Sequence, residues 1–262
     1  MNHVANTFRG GSLAYVLYVL SLLLGLVIGS FVNVVIYRLP RRESLVRPGS
    51  HCPNCDAPVR WFDNIPVASW LILRGKCRAC RDRISVRYLL VESITAAAFV
   101  LAMWRFGFAW QLLVAWAFIT AMVAIAFIDY DHMLIPNKIV LPGALLGLVA
   151  SIAINPQRWW VYLAGSAGAA AFMFMLVMIW PGGMGPGDIK MALFMGAVLG
   201  AYVIVALFAA FLLGSVAGLY LMVVQKRSRK TRVPFGPYLA LGAVLAVFVG
   251  ESILRWYTGT WS

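Results

Sequence analysis

Residues 189–224 read IKMALFMGAVLGAYVIVALFAAFLLGSVAGLYLMVV, 36 residues in which Lys190 is the one charged side chain. A bilayer span needs about 20 apolar residues, and a helix of this length would run roughly 54 Å against a hydrocarbon core of ~30 Å. The stretch therefore predicts two spans with a break near Gly200. Outward from it, further apolar runs occupy 13–36, 88–104, 110–128, 139–154, 160–180 and 237–253. Turn-forming breaks separate them at Gly107, Pro136, Asn155-Pro156 and Pro181-Gly182-Gly183. The expected fold is an all-α polytopic membrane protein of about eight transmembrane helices. With 62% hydrophobic and 12% charged residues, the chain has too few polar side chains to clothe a soluble globule of 262 residues. The first run is too long for a signal-peptide core and is followed, not preceded, by Arg38, Arg41 and Arg42, so it reads as a retained anchor.

The formal charge of +13 acquires meaning from where the cations sit. With eight spans and the N-terminus outside, 18 of the 22 Lys and Arg fall in inside segments, and only Arg9, Arg105, Arg158 and Arg255 remain outside. That asymmetry is the one the positive-inside rule requires. Reading 189–224 as a single span would place the 226–232 cluster of cations outside. The basic balance is thus a topology signal, with a lesser role in holding anionic membrane lipid headgroups. A nucleic-acid partner is disfavoured, because no aromatic-interleaved basic patch accompanies the charge.

Between the first two runs lies a polar segment, irregular and rich in Pro and Arg, that holds all four cysteines as Cys52-Pro-Asn-Cys55 and Cys77-Arg-Ala-Cys80, with 21 residues between the pairs. Two CxxC knuckles at this spacing are a signature of tetrahedral zinc. An insert this poor in apolar residues needs such a staple to fold. Its expected place is cytoplasmic, where thiols stay reduced, so zinc is a better reading than two disulfides. Four thiolate ligands leave no open coordination position, and the metal is expected to be structural.

Acidic residues are scarce, 9 in all, and Glu92, Asp129, Asp131 and Asp188 stand beside or within apolar runs. A carboxylate at the hydrocarbon boundary is costly and marks a functional candidate. Asp129 and Asp131 close the third span, and Asp188 opens the sixth, so both sites are expected at one membrane face. The ordinary reading of Asp188 is an N-cap. Against it, Gly183, Gly185 and Gly187 would let the backbone approach a substrate and adopt positive φ beside the acid. A pair of carboxylates suits peptide hydrolysis: one, ionised, takes a proton from water, while the other, protonated, polarises the scissile carbonyl. Asp129 and Asp131 cannot both serve if the helix continues through them, since a two-residue step turns about 200°. The residues alone do not choose between them. Glu92 and Glu251 read as lone interfacial acids. Paired membrane acids and Gly-Pro breaks would also suit a proton-coupled transporter, although its acids belong at the midplane.

Taken together these segments resemble the bacterial type IV prepilin peptidases, which join a leader peptidase and an N-methyltransferase in one chain. The resemblance rests on Gly29-Ser-Phe-Val-Asn-Val-Val-Ile-Tyr-Arg-Leu-Pro40, the double CxxC insert with Asn64-Ile65-Pro66, Ile128-Asp129-Tyr-Asp131 followed by Leu134-Ile135-Pro136, Gly185-Pro186-Gly187-Asp188, and Pro234-Phe235-Gly236-Pro237-Tyr238. It implies that Asp129 and Asp188 are the catalytic acids, that Cys52, Cys55, Cys77 and Cys80 bind zinc, and that the substrates are prepilins or pseudopilins. Cleavage after a glycine at the cytoplasmic face of the inner membrane, followed by methylation of the new N-terminus from S-adenosylmethionine, is the implied chemistry. The implied organisation is a first anchor over 1–37, a four-cysteine insert over 38–88, and a transmembrane catalytic domain over 89–262.

Overall fold

The computed structural model describes residues 12–179, 184–224 and 234–259. Among them are nine α-helices and no strands. Seven helical stretches are long and apolar enough to cross a membrane, the longest being the 38 residues Pro186–Val223. This longest stretch is broken where the sequence required: Gly200 adopts φ +56°, a conformation costly to any residue with a Cβ, and a short 3-10 turn follows. The chain divides into two compact units, Met1–Leu112 and Leu113–Ser262.

In the first unit, α1 (Ser12–Arg38) and α3 (Val86–Phe106) form an antiparallel hairpin, with the insert and its short α2 (Ala68–Ile72) between them. Gly25 and Gly29, four residues apart, lie on one face of α1, and the lack of side chains there lets the backbones meet. A Cβ at Gly25 would stand 2.6 Å from the Ala96 Cα, and one at Gly29 would stand 2.7 Å from the Glu92 Cα. Asn33 on α1 donates to the Tyr88 carbonyl at 3.1 Å. Buried Arg38 ends the helix by donating to the carbonyls of Ser44 (2.9 Å) and Gly49 (3.3 Å). The polar members of the 29–40 motif thus tie the hairpin to the start of the insert.

The second unit holds α4 (Trp110–His132) from Leu113 onward, α5 (Asn137–Ile154), α6 (Trp159–Ile179), α7 (Pro186–Leu199), α8 (Val203–Val223) and α9 (Gly236–Thr258). Short α7, 14 residues, lies against its neighbours with Met191, Ala192, Phe194 and Met195 buried. It runs antiparallel to α6, where a Cβ on Gly196 would lie 2.3 Å from the Gly165 carbonyl oxygen and Ser166 donates to the Leu193 carbonyl at 2.9 Å. It runs parallel to α5, whose Gly143 and Gly147 face Phe194 and Val198. Beyond Gly200 the chain returns as α8, antiparallel to α9: Tyr202 meets Gly250, Ala206 and Ala210 meet Gly242, and Gly214 meets Phe235 and Tyr238. So the chain reverses direction at Gly200: α7 and α8 run oppositely within a stretch that by length and composition counts as one of the seven, where eight were expected, and α7 with its 14 residues falls short of the length of a full span. The 226–232 cations lie outside the described residues, but the helices that flank them present those ends on the side of Asp188. At that end stand Lys138 and Lys190, whose Nζ donates to Asn137 at 3.0 Å; Arg158 and Arg255 belong to the other.

Because the Gly196–Gly165 contact is backbone against backbone, nothing can rotate away. Gly196→Ala is expected to cost about 1–3 kcal/mol, in keeping with overpacking of a tight interior. Gly168, with nothing within 4 Å of an added Cβ, is the matched control. Thermal melts of the two variants in one detergent would compare them, and equal melting temperatures would contradict the expectation.

Candidate functional site

Helix α4 continues through Asp129 and Asp131 to His132. The two-residue step therefore separates them as helix geometry demands: Asp129 is buried at 6% exposure and Asp131 is exposed. The helix stops one turn later because Met133 takes φ +48° and donates to the Asp129 carbonyl at 2.8 Å. Chain reversal through Leu134-Ile135-Pro136 then brings buried Ile135 beneath Gly187, where a Cβ would stand 2.9 Å from the Ile135 Cβ. One acid motif thereby packs directly on the other, and the Asp129 and Asp188 carboxylates come near enough for their charges to interact.

Asp188 is likewise 6% exposed. It is not the N-cap that its position before Ile189 predicts. The helix starts earlier, with Pro186 at its first position, where a ring-fixed φ is favourable and a missing N–H costs nothing. Asp188 thus falls in the first turn and reaches back to accept the Gly185 N–H at 2.8 Å. Positive φ at the described glycines of this loop was expected and is not found: Gly185 has φ −95°, and Gly187 is required for close approach instead. Gly183 lies outside the described residues. Asp129 accepts the Gly236 N–H at 2.9 Å from the first residue of α9. Each carboxylate thus has Oδ2 engaged by a backbone donor, while its Oδ1 makes no hydrogen bond among the described residues.

Two further acids differ from their expected state. Glu92 is not a lone interfacial residue: it is 6% exposed, and its Oε2 accepts the Val67 N–H at 2.7 Å. Val67 itself has φ +60°, so the carboxylate holds a strained turn of the insert down onto α3. Glu251 pairs with Arg255 one turn on, at 2.5 Å.

In the insert, the Sγ atoms of Cys52, Cys55, Cys77 and Cys80 all lie within 4.8 Å of one another. The Cys52 and Cys80 sulfurs are 3.8 Å apart. Four ligands at the usual Zn–S length of about 2.3 Å around a tetrahedron would stand about 3.8 Å from each other, whereas a disulfide needs about 2.05 Å. The sulfurs therefore fit a metal and not a pair of disulfides. Each pair sits in the same hydrogen-bonded knuckle. Cys52 N–H donates to Ala57 and Val59 N–H to Ser50; in the second knuckle Cys77 N–H donates to Asp82 and Ile84 N–H to Gly75, at 2.8–3.0 Å. An internal repeat of this kind is not apparent in the sequence beyond the cysteines themselves. The Cys80 and Ala79 N–H groups draw the Cys77 thiol down to about 7. At Cys80 the Asp82 N–H favours the thiolate, but desolvation and the side-chain hydrogen bonds with Cys55, Cys77 and Cys52 together prevail and push the thiol up to about 12. Four sulfurs this close cannot all ionise without a cation between them, which is the condition a divalent metal supplies. Asn54 bonds to Asp82 across the knuckles. Arg78 grips Asp63 through Nε (2.8 Å) and Nη2 (2.6 Å), holding its carboxyl below the usual carboxylate range.

Comparison with known proteins places these features in a family. The model of the bacterial peptidase A24 N-terminal domain matches residues 23–106, and that of the type IV leader peptidase family matches residues 116–219. A protein of Legionella pneumophila named prepilin leader peptidase/N-methyltransferase is 35% identical over 94% of this chain and 96% of its own length. The chain belongs to the type IV leader peptidase family. Proteins of the same name from Pseudomonas putida (36% identical, covering 89% of this chain and 91% of that protein) and Bacillus subtilis (35%, covering 89% and 94%) are similarly related. No solved structure matches the chain. Of the motifs that carried the resemblance to this family, the structure gives Asn33, Arg38 and Ile135 packing or tethering roles that the sequence left blank, and it gives Gly187 a close approach to Ile135 where approach to a substrate was expected. It also reveals Glu92 and Gly236 as partners of other segments. For Gly236 a signal existed, a Gly-Pro at a helix start like that before Asp188; for Glu92 there was none beyond its cost in lipid.

Proposed function

We propose that this chain is a membrane aspartic endopeptidase that removes the leader from type IV prepilins or pseudopilins, cutting after glycine at the cytoplasmic face of the bacterial inner membrane, and then N-methylates the new N-terminus. The observation that carries the reading is the pairing of two buried carboxylates, Asp129 and Asp188, at neighbouring helix ends, each clamped through one oxygen with the other left for chemistry. With one carboxylate ionised and its partner protonated, the pair can take a proton from an attacking water and donate one to the scissile carbonyl oxygen. Asp131, exposed, takes no part. Orientation toward the cytoplasm is supported by Lys138 and Lys190 at the acid end and by the bias of the whole chain's cations; those cations would also meet anionic lipid headgroups. No nucleic-acid partner is part of the proposal.

Cys52, Cys55, Cys77 and Cys80 would hold one structural zinc, which supplies folding energy to the insert and no chemistry. The functional parts are the 1–37 anchor, the 38–88 insert and the 89–262 catalytic region. A proton-coupled transporter draws no support from the relatives' names, and the acids stand at one end of their helices, not at mid-span. Incubating purified protein in detergent with a prepilin tests the reading: a shortened pilin and a free leader are expected, and an intact precursor would refute it.

Methyl transfer needs a deprotonated amine aligned with a sulfonium methyl, chemistry that the acid pair does not supply. S-adenosylmethionine would bind where the insert meets its hairpin, a place supported by the polar atoms of Glu92, Asn33 and Arg38 gathered there. The described residues contain no strand-to-helix glycine loop that could serve instead. Asp129→Asn protein, given a pre-cleaved pilin and labelled S-adenosylmethionine, should methylate it at close to the wild-type rate. Loss of methylation together with cleavage in folded protein would point to a single shared site.

A further inference from the structure

We propose that Gly236 is a positioning residue of the peptidase, whose N–H sets the orientation of Asp129 and whose missing side chain makes room for that acid; the assignment rests on the function proposed above. The first turn of α9 accounts for all its backbone donors. Pro237 has none, while Tyr238 and Leu239 both donate to the Phe235 carbonyl, at 3.0 and 3.1 Å. Only the Gly236 N–H is left over, and it points into the buried carboxylate of Asp129, 107 residues away in the chain. Phe235 is itself held from behind, its ring 5.2 Å from that of Phe211 and packed over Gly214, so the donor cannot drift.

Space at this point is as constrained as direction. A Cβ on residue 236 would stand 2.6 Å from Asp129 Oδ2, 2.9 Å from its Cγ and 3.0 Å from its Cβ. Rotation about χ1 could move the oxygen, but not the Asp129 Cβ, which the helix fixes. Gly185, the donor to Asp188, is different: an added Cβ there would have Asp188 Oδ2 as its nearest neighbour, at 3.8 Å. The two acids are thus held by parallel Gly-Pro helix starts, Gly185-Pro186 and Gly236-Pro237, of which only the second forbids a methyl group. Engaging Oδ2 of Asp129 leaves Oδ1 as the oxygen presented to water and substrate.

Cleavage of a prepilin by full-length protein in nanodiscs decides the matter. Gly236→Ala is expected to lower kcat by about 10²-fold, the scale for a misplaced catalytic group, with KM within about threefold of wild type. Gly185→Ala should lose less than Gly236→Ala, and Gly168→Ala should match wild type. Because Gly236→Ala could fail to fold, a second variant replaces residue 236 by glycolate in cell-free synthesis. That change removes the N–H and adds no side chain. It should lower kcat by about 10–10²-fold and displace the pH–rate profile, which a merely structural role would leave in place. Wild-type rates and an unmoved pH profile in both Gly236 variants would overturn the assignment alone. An inactive wild type would overturn it together with the function on which it rests.

Discussion

Asp129→Asn and Asp188→Asn should each lower the rate of leader cleavage by at least about 10³-fold, while Asp131→Asn retains most activity. The first figure follows from the worth of a positioned general acid or base, about 10²–10⁴-fold, for a pair in which either loss leaves the other without its proton partner. The second follows from geometry: Asp131 leaves α4 on the opposite side and is exposed, whereas Asp129 and Asp188 are each 6% exposed. Asparagine keeps the volume and can still accept the Gly236 or Gly185 N–H through its carbonyl oxygen, so insertion and folding should survive. Immunoblots of precursor and mature pilin, alongside a folded-protein measure such as monodispersity in detergent, would read the result. An inactive Asp131→Asn with active Asp129→Asn would reverse the choice of partner.

Removing one thiolate should have the largest effect on the insert. Purified protein is expected to carry one zinc per chain, and Cys52→Ser or Cys77→Ser to carry less than half of that at lower folded yield. The knuckles are short, the 38–88 segment buries few apolar side chains, and metal binding is what can supply its folding free energy, about 10–16 kcal/mol for structural zinc in small peptides at neutral pH. Because protons compete for the sulfurs, zinc should also leave more readily into a chelator as pH falls. Cleavage chemistry in whatever variant protein does fold should be less affected than yield. Elemental analysis that found no zinc in wild type, with thiols oxidised, would overturn the reading.

One backbone clamp per acid and one loop contact are enough to orient the two acids and to bring them together. Each acid sits near one helix end and accepts one backbone N–H, Asp129 from distant α9 and Asp188 from Gly185, which caps its own helix. Loop 134–136 supplies the rest by seating Ile135 against Gly187. The cost of burying two carboxylates is offset at one oxygen each.

By itself the sequence determined the helical membrane architecture, the break at Gly200, the four-sulfur cluster and the acid motifs. These are local or additive properties: hydropathy over about 20 residues, the φ that only glycine takes freely, the spacing of CxxC, and the scarcity of charge in apolar runs. Only the tertiary structure decided which of Asp129 and Asp131 faces inward, that Asp188 lies inside the first turn and reaches back to Gly185, that Glu92 anchors Val67, and that Gly236 holds Asp129. Those facts depend on contacts between segments as far apart as 107 residues. Hydropathy cannot resolve two acids in one helical turn, and a backbone N–H is carried by every residue except proline. Its partner is settled only when the helices pack.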